Sequence, residues 1–224
     1  MDFLKFIVSG DYAAFAKPTK NTKCIYTFQH IHKIAVYGII GATLGFNSYE
    51  TAFKKYPEFY DKLKDVRMAI IPSKTAYKKL RYPLDVDDKR RVKSKGRIVE
   101  KQLLINPSWT IYIPMSDPYI SDFAKSLMDN KTVYERFLGS RECKAIISNI
   151  SRIVLPEQTI RFTNSIVEFD KIKFSPDDKP FEEKMPIKLN DRAQYFYKNM
   201  VISKSEFKEP EKGYIDGQKR FILI

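Results

Sequence analysis

Cysteine is nearly absent: 224 residues hold only Cys24 and Cys143, in no Cys-x-x-Cys pair. That excludes a disulfide framework and a four-cysteine zinc site, and leaves two buried or idle thiols. Histidine is as scarce, with His30 and His32 alone. On a helix, positions two apart point to roughly opposite faces, so joint metal ligation is not expected. Eight glycines and twelve prolines exclude collagen-like and low-complexity designs. No P-loop and no Gly-x-Gly-x-x-Gly occurs, nor the basic-Gly-aromatic-Gly/Ala-Phe strand of RRM proteins. Long apolar runs are missing too. The longest, Ile34 to Phe46, has 13 residues and is too short to span a bilayer. Asp2 and Lys5 break the apolar stretch at Met1 to Gly10, which lacks a signal-peptide core. The sequon Asn130-Lys131-Thr132 matters only in a secreted chain. These absences lead to the expectation of a cytoplasmic protein with no cofactor, no bound metal and no membrane partner.

What is present is a globular composition, 43% hydrophobic and 30% charged, with a net charge of +13. Such an excess points to a polyanionic partner, most often nucleic acid. Its distribution is uneven. Between Tyr12 and Tyr49 there is no acid, but there are Lys17, Lys20, Lys23 and Lys33. Between Lys89 and Arg97 there are Lys89, Arg90, Arg91, Lys93, Lys95 and Arg97, again with no acid. Either stretch can be a solvated face or a phosphate grip, since each phosphate contact releases counterions. Asp85, Asp87 and Asp88 sit just upstream and read as local balance for the basic run rather than as metal ligands. Aromatics interleave with the first basic stretch. Tyr12 and Phe15, read as loop residues, are the candidates for stacking unpaired bases, which suits single-stranded RNA.

Phe3 to Val8 reads as a strand and Gly10 to Phe28 as a loop. His30 to Gly45 reads as a helix in which Gly38 and Gly41 permit either close packing or close approach of a phosphate backbone. A second helix is expected within Tyr49 to Leu63, interrupted near Pro57. Strands follow at Val66 to Ile71 and Tyr77 to Tyr82, then a basic hairpin tip, then strands at Ile98 to Ile105 and Trp109 to Met115. Ser116 or Asp117 caps a helix beginning at Pro118 and running to Met128. A strand at Cys143 to Ile150 completes the order. The fold class is therefore α+β: a ferredoxin-like (RRM/RAMP) β-α-β-β-α-β domain over 1–155 with an extended basic β-hairpin. Residues 156–224 read as a smaller β-rich region ending in the strand Arg220 to Ile224.

Phe3-Leu4-Lys5-Phe6, Ser9-Gly10-Asp11-Tyr12-Ala13-Ala14-Phe15 and Lys17-Pro18 resemble the amino terminus of the CRISPR-associated (Cas) family five proteins. Gly38-Ile39-Ile40-Gly41-Ala42-Thr43-Leu44-Gly45 is similar to that family's Gly-x-x-Gly-Ala-x-Leu-Gly helix, in a style closest to the type I-B branch. The entry Gln29-His30-Ile31-His32 departs from the family's more Pro-rich, apolar pattern. The resemblance implies a RAMP-type fold and a Cascade subunit that caps the 5′ handle of the crRNA. Its implied partners are the Cascade backbone subunit and large subunit, with target DNA met only through the complex. The RNA-binding set is then Tyr12, Phe15, Lys17, Lys20, Lys23, Lys33, Gly38, Gly41, Lys89, Arg90, Arg91, Lys93, Lys95, Arg97 and Arg141. One branch, type I-C, cleaves precursor RNA, but its catalytic triad does not map onto this chain. The alternative to a non-catalytic role is a metal-independent endoribonuclease, with His30 or His32 as acid/base and Lys33 or Tyr37 assisting.

Overall fold

The computed structural model describes residues 1–18, 23–48, 56–86, 97–174, 180–202 and 205–224. The chain opens with strand β1 (Asp2–Ser9). Two short strands, β2 (Tyr12–Ala13) and β3 (Cys24–Ile25), precede helix α1 (Lys33–Leu44), helix α2 (Glu58–Leu63) and strand β4 (Ala69–Pro72). Strands β5 (Lys79–Val86) and β6 (Arg97–Ile105) lead to β7 (Ser108–Pro114), α3 (Pro118–Met128) and β8 (Ile146–Val154). Then come β9 (Gln158–Thr163), β10 (Val167–Glu168), β11 (Glu182–Leu189), β12 (Tyr195–Val201), β13 (Ser205–Asp216) and β14 (Lys219–Phe221).

The central sheet has the order β4-β7-β1-β8, and every pairing in it is antiparallel. Period-2 alternation divides its residues between two buried faces. Leu4, Phe6 and Val8 of β1, with Trp109, Ile111 and Ile113 of β7, join the cluster that includes Ile34, Ile40, Phe123 and Leu127 of the helices. Phe3 and Tyr112 point the other way, where Tyr214 and Phe221 cover them. There Tyr112 stacks on Phe221 with ring centroids 4.1 Å apart, and Phe3 meets Tyr214 edge-on at 4.7 Å. The segment after residue 155 therefore supplies one of the two layers over the sheet. It also contributes Ile166, Met185, Leu189, Met200 and Ile202 to the helix-side cluster. Ile224 bonds to Met68 through both its N–H and its carbonyl, at 2.9 and 3.2 Å, beside the β4 edge.

Helix α1 is buried nearly all round, which explains its unbroken apolar sequence. It begins at Lys33 rather than His30 because His32 is its extended N-cap, with Nδ1 accepting the Ala35 N–H at 3.2 Å. Gly45 ends it at φ +80, the left-handed conformation that glycine adopts without strain. Helix α3 spans the expected Pro118 to Met128; Asp117 is the cap, accepting the Tyr119 N–H at 2.8 Å.

Several expected boundaries move. The stretch read as a loop from Gly10 to Phe28 contains β2 and β3, which extend the hairpin sheet along β6. The strand expected at Cys143 to Ile150 lies at Ile146–Val154, because the Cys143 carbonyl is engaged by the Leu138 N–H at 2.7 Å. The strand expected at Val66 to Ile71 lies at Ala69–Pro72, and the last one is Lys219–Phe221 rather than Arg220 to Ile224. Of the helix expected within Tyr49 to Leu63, residues 49–55 lie outside the described residues, and α2 begins after Pro57.

The two helix glycines differ. A Cβ on Gly41 would lie 2.5 Å from the Phe59 Cβ of α2, whereas a Cβ on Gly38 meets nothing within 4 Å. Gly41 is thus a packing residue between α1 and α2; its backbone is covered by Phe59, which corrects its place in the RNA-binding set. Gly41→Ala is expected to cost about 1–3 kcal/mol by overpacking, while Gly38→Ala gains about 0.5–1 kcal/mol in helix propensity. Urea unfolding of the two variants checks the opposite signs.

Candidate nucleic-acid interface

At the end of β1 the chain turns at Gly10, where a Cβ would lie 2.6 Å from the Lys144 carbonyl, so only glycine fits. Tyr12 then pairs with Ile105 at the base of the β5–β6 hairpin. The hairpin is antiparallel and in continuous register from Lys79 opposite Leu104 to Val86 opposite Arg97. On the other side of β6, the Glu100 N–H donates to the Lys23 carbonyl at 2.9 Å, and β3 runs parallel to it. Lys101 of β6 pairs with Glu142 at 2.6 Å, which brings the loop carrying Arg141 alongside. One strand, β6, thus gathers Tyr12, Lys23, Arg141 and the hairpin arms. Tyr12, Lys23 and Arg141 are all exposed. Lys20, Lys89, Arg90, Arg91, Lys93 and Lys95 lie outside the described residues; Arg97 opens β6 at the boundary.

Tyr82 and Leu80 on β5 and Ile98 on β6 are exposed and were not singled out by sequence reasoning. Tyr82 presents an aromatic surface on the arm leading into the basic run, as base stacking requires. Its alternation with Leu80 was the available signal. β5 is an edge strand, and Pro83 is tolerated there because an edge leaves one side of the ladder unpaired.

Other predicted residues do different work. Phe15 is buried, with its ring 5.9 Å from those of both His32 and Trp109, so no base can stack on it. Lys17 is held by the buried Glu183 at 2.6 Å, and the same carboxylate accepts the Gln29 N–H at 2.8 Å. It joins the amino-terminal segment to β11 rather than offering a free cation. Lys33 lines a separate cavity of about 290 Å³ whose wall also carries Lys64, Asp65 and Glu168. Burial lowers the pKa of its ammonium.

The residues of the cleavage alternative are engaged in the structure. Trp109 Nε1–H donates to His30 Nδ1 at 3.2 Å, and His30 Nε2 lies 2.7 Å from the Thr75 carbonyl. A carbonyl only accepts, so the proton sits on Nε2 and the ring is neutral. Burial, first, and the charge of Lys79 lower its pKa to about 4. His32 is enclosed by the rings of Phe15, Phe28 and Tyr195, and burial lowers its pKa to about 3. Tyr37 donates to the Val66 carbonyl at 2.5 Å, and burial pushes its phenol well above the usual range. With both nitrogens of His30 bonded inside the protein, and Tyr37 likewise, these groups do not reach a substrate. That corrects the acid/base assignment of His30 and Tyr37; His32 Nδ1 is spent on capping α1. Among the described residues no three His, Cys, Asp or Glu side chains gather as a metal site. Nor is any helix there long and apolar enough to cross a membrane.

No family model matches the sequence, and no curated protein matches it. The likeness is one of fold. A chain of a CRISPR RNA-guided surveillance complex superposes with a TM-score of 0.57 at 11% identity, over 93% of this chain and 92% of that one. A CRISPR protein from Archaeoglobus fulgidus gives 0.53 at 11% identity, over 100% of this chain and 98% of that one. The mixed α+β architecture, mostly strand with few helices, is thus shared with CRISPR proteins over nearly the full length.

Two outcomes test these assignments. Unfolded imidazoles take up protons near pH 6.5, while folded His30 does so near pH 4. Between those values the unfolded chain binds more protons, so stability is full above pH 6.5 and falls as the pH drops towards 4. The loss is about 3 kcal/mol from His30 alone, with His32 adding to it; urea midpoints across that window measure it. Lys17→Ala leaves the buried Glu183 without its cation and should cost about 1–3 kcal/mol, against less than about 0.5 kcal/mol for the exposed Arg141→Ala. Thermal melts of the two compare them directly.

Proposed function

We propose that this chain is a non-catalytic crRNA-binding subunit of a type I CRISPR Cascade surveillance complex, holding the 5′ handle of the guide RNA. The observation that carries the reading is the gathering around β6. An exposed tyrosine, Tyr12, and the arms of a hairpin leading into an acid-free basic run occupy one small sheet. Unpaired bases stack on exposed rings while Lys and Arg neutralise phosphates. The fold likeness to a chain of an RNA-guided surveillance complex supports the same reading. So does the sequence resemblance of the first 50 residues to Cas family five proteins, type I-B-like in style.

Strand order β4-β7-β1-β8, with α1 between the first two strands of the pattern and α3 between the last two, supports reading this part of the chain as a ferredoxin-like RAMP domain. In this reading residues 1–155 are that domain and 156–224 are an extension covering its second sheet face. The partners are the backbone and large subunits of the complex, target DNA is met only through it, and the compartment is the cytoplasm.

Arg90→Ala/Arg91→Ala/Lys93→Ala is the direct test. Binding of a repeat-derived single-stranded RNA is expected to weaken, and the slope of log K against log salt to become shallower by about 2, at roughly 0.7 per lost phosphate contact. An unchanged slope across a salt titration removes the hairpin from the interface.

A further inference from the structure

A second basic feature lies at the same end of the central sheet, on the face covered by the carboxy-terminal strands. It is a cleft of about 780 Å³ between the 73–75 loop after β4 and the β13–β14 turn. That volume falls within the ~300–1,000 Å³ range of ligand sites. Lys74, Lys219 and Arg220 line it, and no Asp or Glu does. Among the described residues neither Lys74 nor Arg220 has an ion pair. The neighbouring carboxylate of Asp216 is already taken, by Lys5 at 2.5 Å and by the Tyr112 hydroxyl at 2.7 Å.

The cleft is built rather than incidental. Asn164 clamps the backbone of Arg220 from both sides: the Arg220 N–H donates to Asn164 Oδ1 at 2.8 Å, and the Asn164 N–H donates to the Arg220 carbonyl at 2.7 Å. Lys219 Nζ donates to Thr110 Oγ1 at 3.0 Å, which fixes the second cation over β7. The opposite wall is held as firmly. Ser73 N–H donates to the Ser108 carbonyl at 3.0 Å, and the Thr75 carbonyl accepts from His30. Bonded backbones thus place three cationic residues and neutral donors on the walls of one cleft, over an apolar floor that includes Ile71. Three cations without an acid, beside hydroxyl and amide donors, match the charge and hydrogen-bond demand of a phosphate group. The apolar floor suits the attached sugar or base.

We propose that this cleft is a phosphate-binding subsite for a nucleotide unit. The 73–75 loop leads through Tyr77 into β5, so the cleft stands at the base of the hairpin that carries the basic run. A nucleotide here extends the contact made by that hairpin to the carboxy-terminal strands. This extension rests on the RNA-binding reading above; the phosphate chemistry itself is common to a strand of RNA and a free nucleotide.

The test uses the full chain and the double variant Lys74→Gln/Arg220→Gln, which leaves the Lys219–Thr110 bond in place. Lys125→Gln/Lys131→Gln, at and just after α3, controls for the loss of two charges. In one arm, single-stranded RNA binding is titrated with salt. In the other, adenosine 5′-monophosphate and adenosine are titrated against the amide resonances of residues 217–220. The cleft variant should flatten the salt slope by about 1.4 where the control does not, and the monophosphate but not adenosine should shift the resonances saturably. A slope change without mononucleotide binding assigns the site to the strand. Mononucleotide binding with an unchanged slope assigns it to a free nucleotide. An unchanged slope with no mononucleotide binding overturns the proposal. If the wild-type chain binds no RNA, the RNA reading fails on its own, and the mononucleotide arm alone decides the cleft. Equal thermal midpoints for the variant and the wild type confirm that the fold is intact.

Discussion

A neutral imidazole at His30 holds together the end of the molecule at which the base of the hairpin meets the central sheet. It accepts from Trp109 on β7 and donates to Thr75 in the loop that precedes the hairpin, and it packs within 5.3 Å of Tyr77. One ring therefore joins the entry to α1, the centre of the sheet and the base of the hairpin. Protonation would place a second donor against the Trp109 N–H, so the fold and the charge state of this residue are one constraint. The geometry of the RNA-binding reading rests on it, because the 73–77 loop sets where β5 begins. The same ring also anchors Thr75, which lines the basic cleft.

Local pattern carried far in this sequence. The amphipathic spacing of Ile120, Phe123, Ala124 and Leu127, with a capping residue and Pro118 ahead, locates α3, and the structure chooses Asp117 over Ser116 as its cap. Alternation in β1 and β7 identifies two strands whose residues face opposite layers. Alternation does not say what fills the second layer. Tyr112 and Phe221 are 109 residues apart in sequence, and no periodicity links them. Polar residues were harder still. Nothing local in Lys17-Pro18 announces a carboxylate at residue 183, and a phenylalanine flanked by Ala14 and Ala16 reads equally as a loop aromatic or as core. In the sequence His30 and His32 read as helix caps or phosphate contacts more readily than as acid/base groups, and His32 does cap: its ring replaces the Ser, Thr, Asp or Asn that ordinarily caps a helix.

Long-range pairing also decides which cations are available. Two carboxylates of the carboxy-terminal segment, Glu183 and Asp216, are engaged by Lys17 and Lys5 of the amino-terminal segment. Lys101 is tied to Glu142, and Lys79 donates to the Thr27 carbonyl at 3.1 Å. Partly buried pairs of this kind interact more strongly than surface pairs, and breaking one strands its partner in a low-dielectric setting. These four lysines are therefore committed to the frame. Acid-free stretches of sequence overstate the number of free charges, because the neutralising acids come from another part of the chain.

What remains is a division of labour set by electrostatics. A chain carrying +13 repels itself as it compacts, and the cross-segment pairs relieve that repulsion where the layers meet. The excess must then stand outside the packed layers. Around the cleft the Arg220 backbone is clamped by Asn164 and the Lys219 ammonium is bonded to a threonine hydroxyl, so these residues are positioned by neutral partners instead of by an ion pair. Fixing a cation through neutral partners differs physically from fixing it through a carboxylate. The first leaves a field for an incoming anion to occupy, whereas the second has already spent it. By that criterion the cleft beside the β13–β14 turn is organised for an anion, and Lys17, in the first acid-free stretch of the sequence, is organised for the fold.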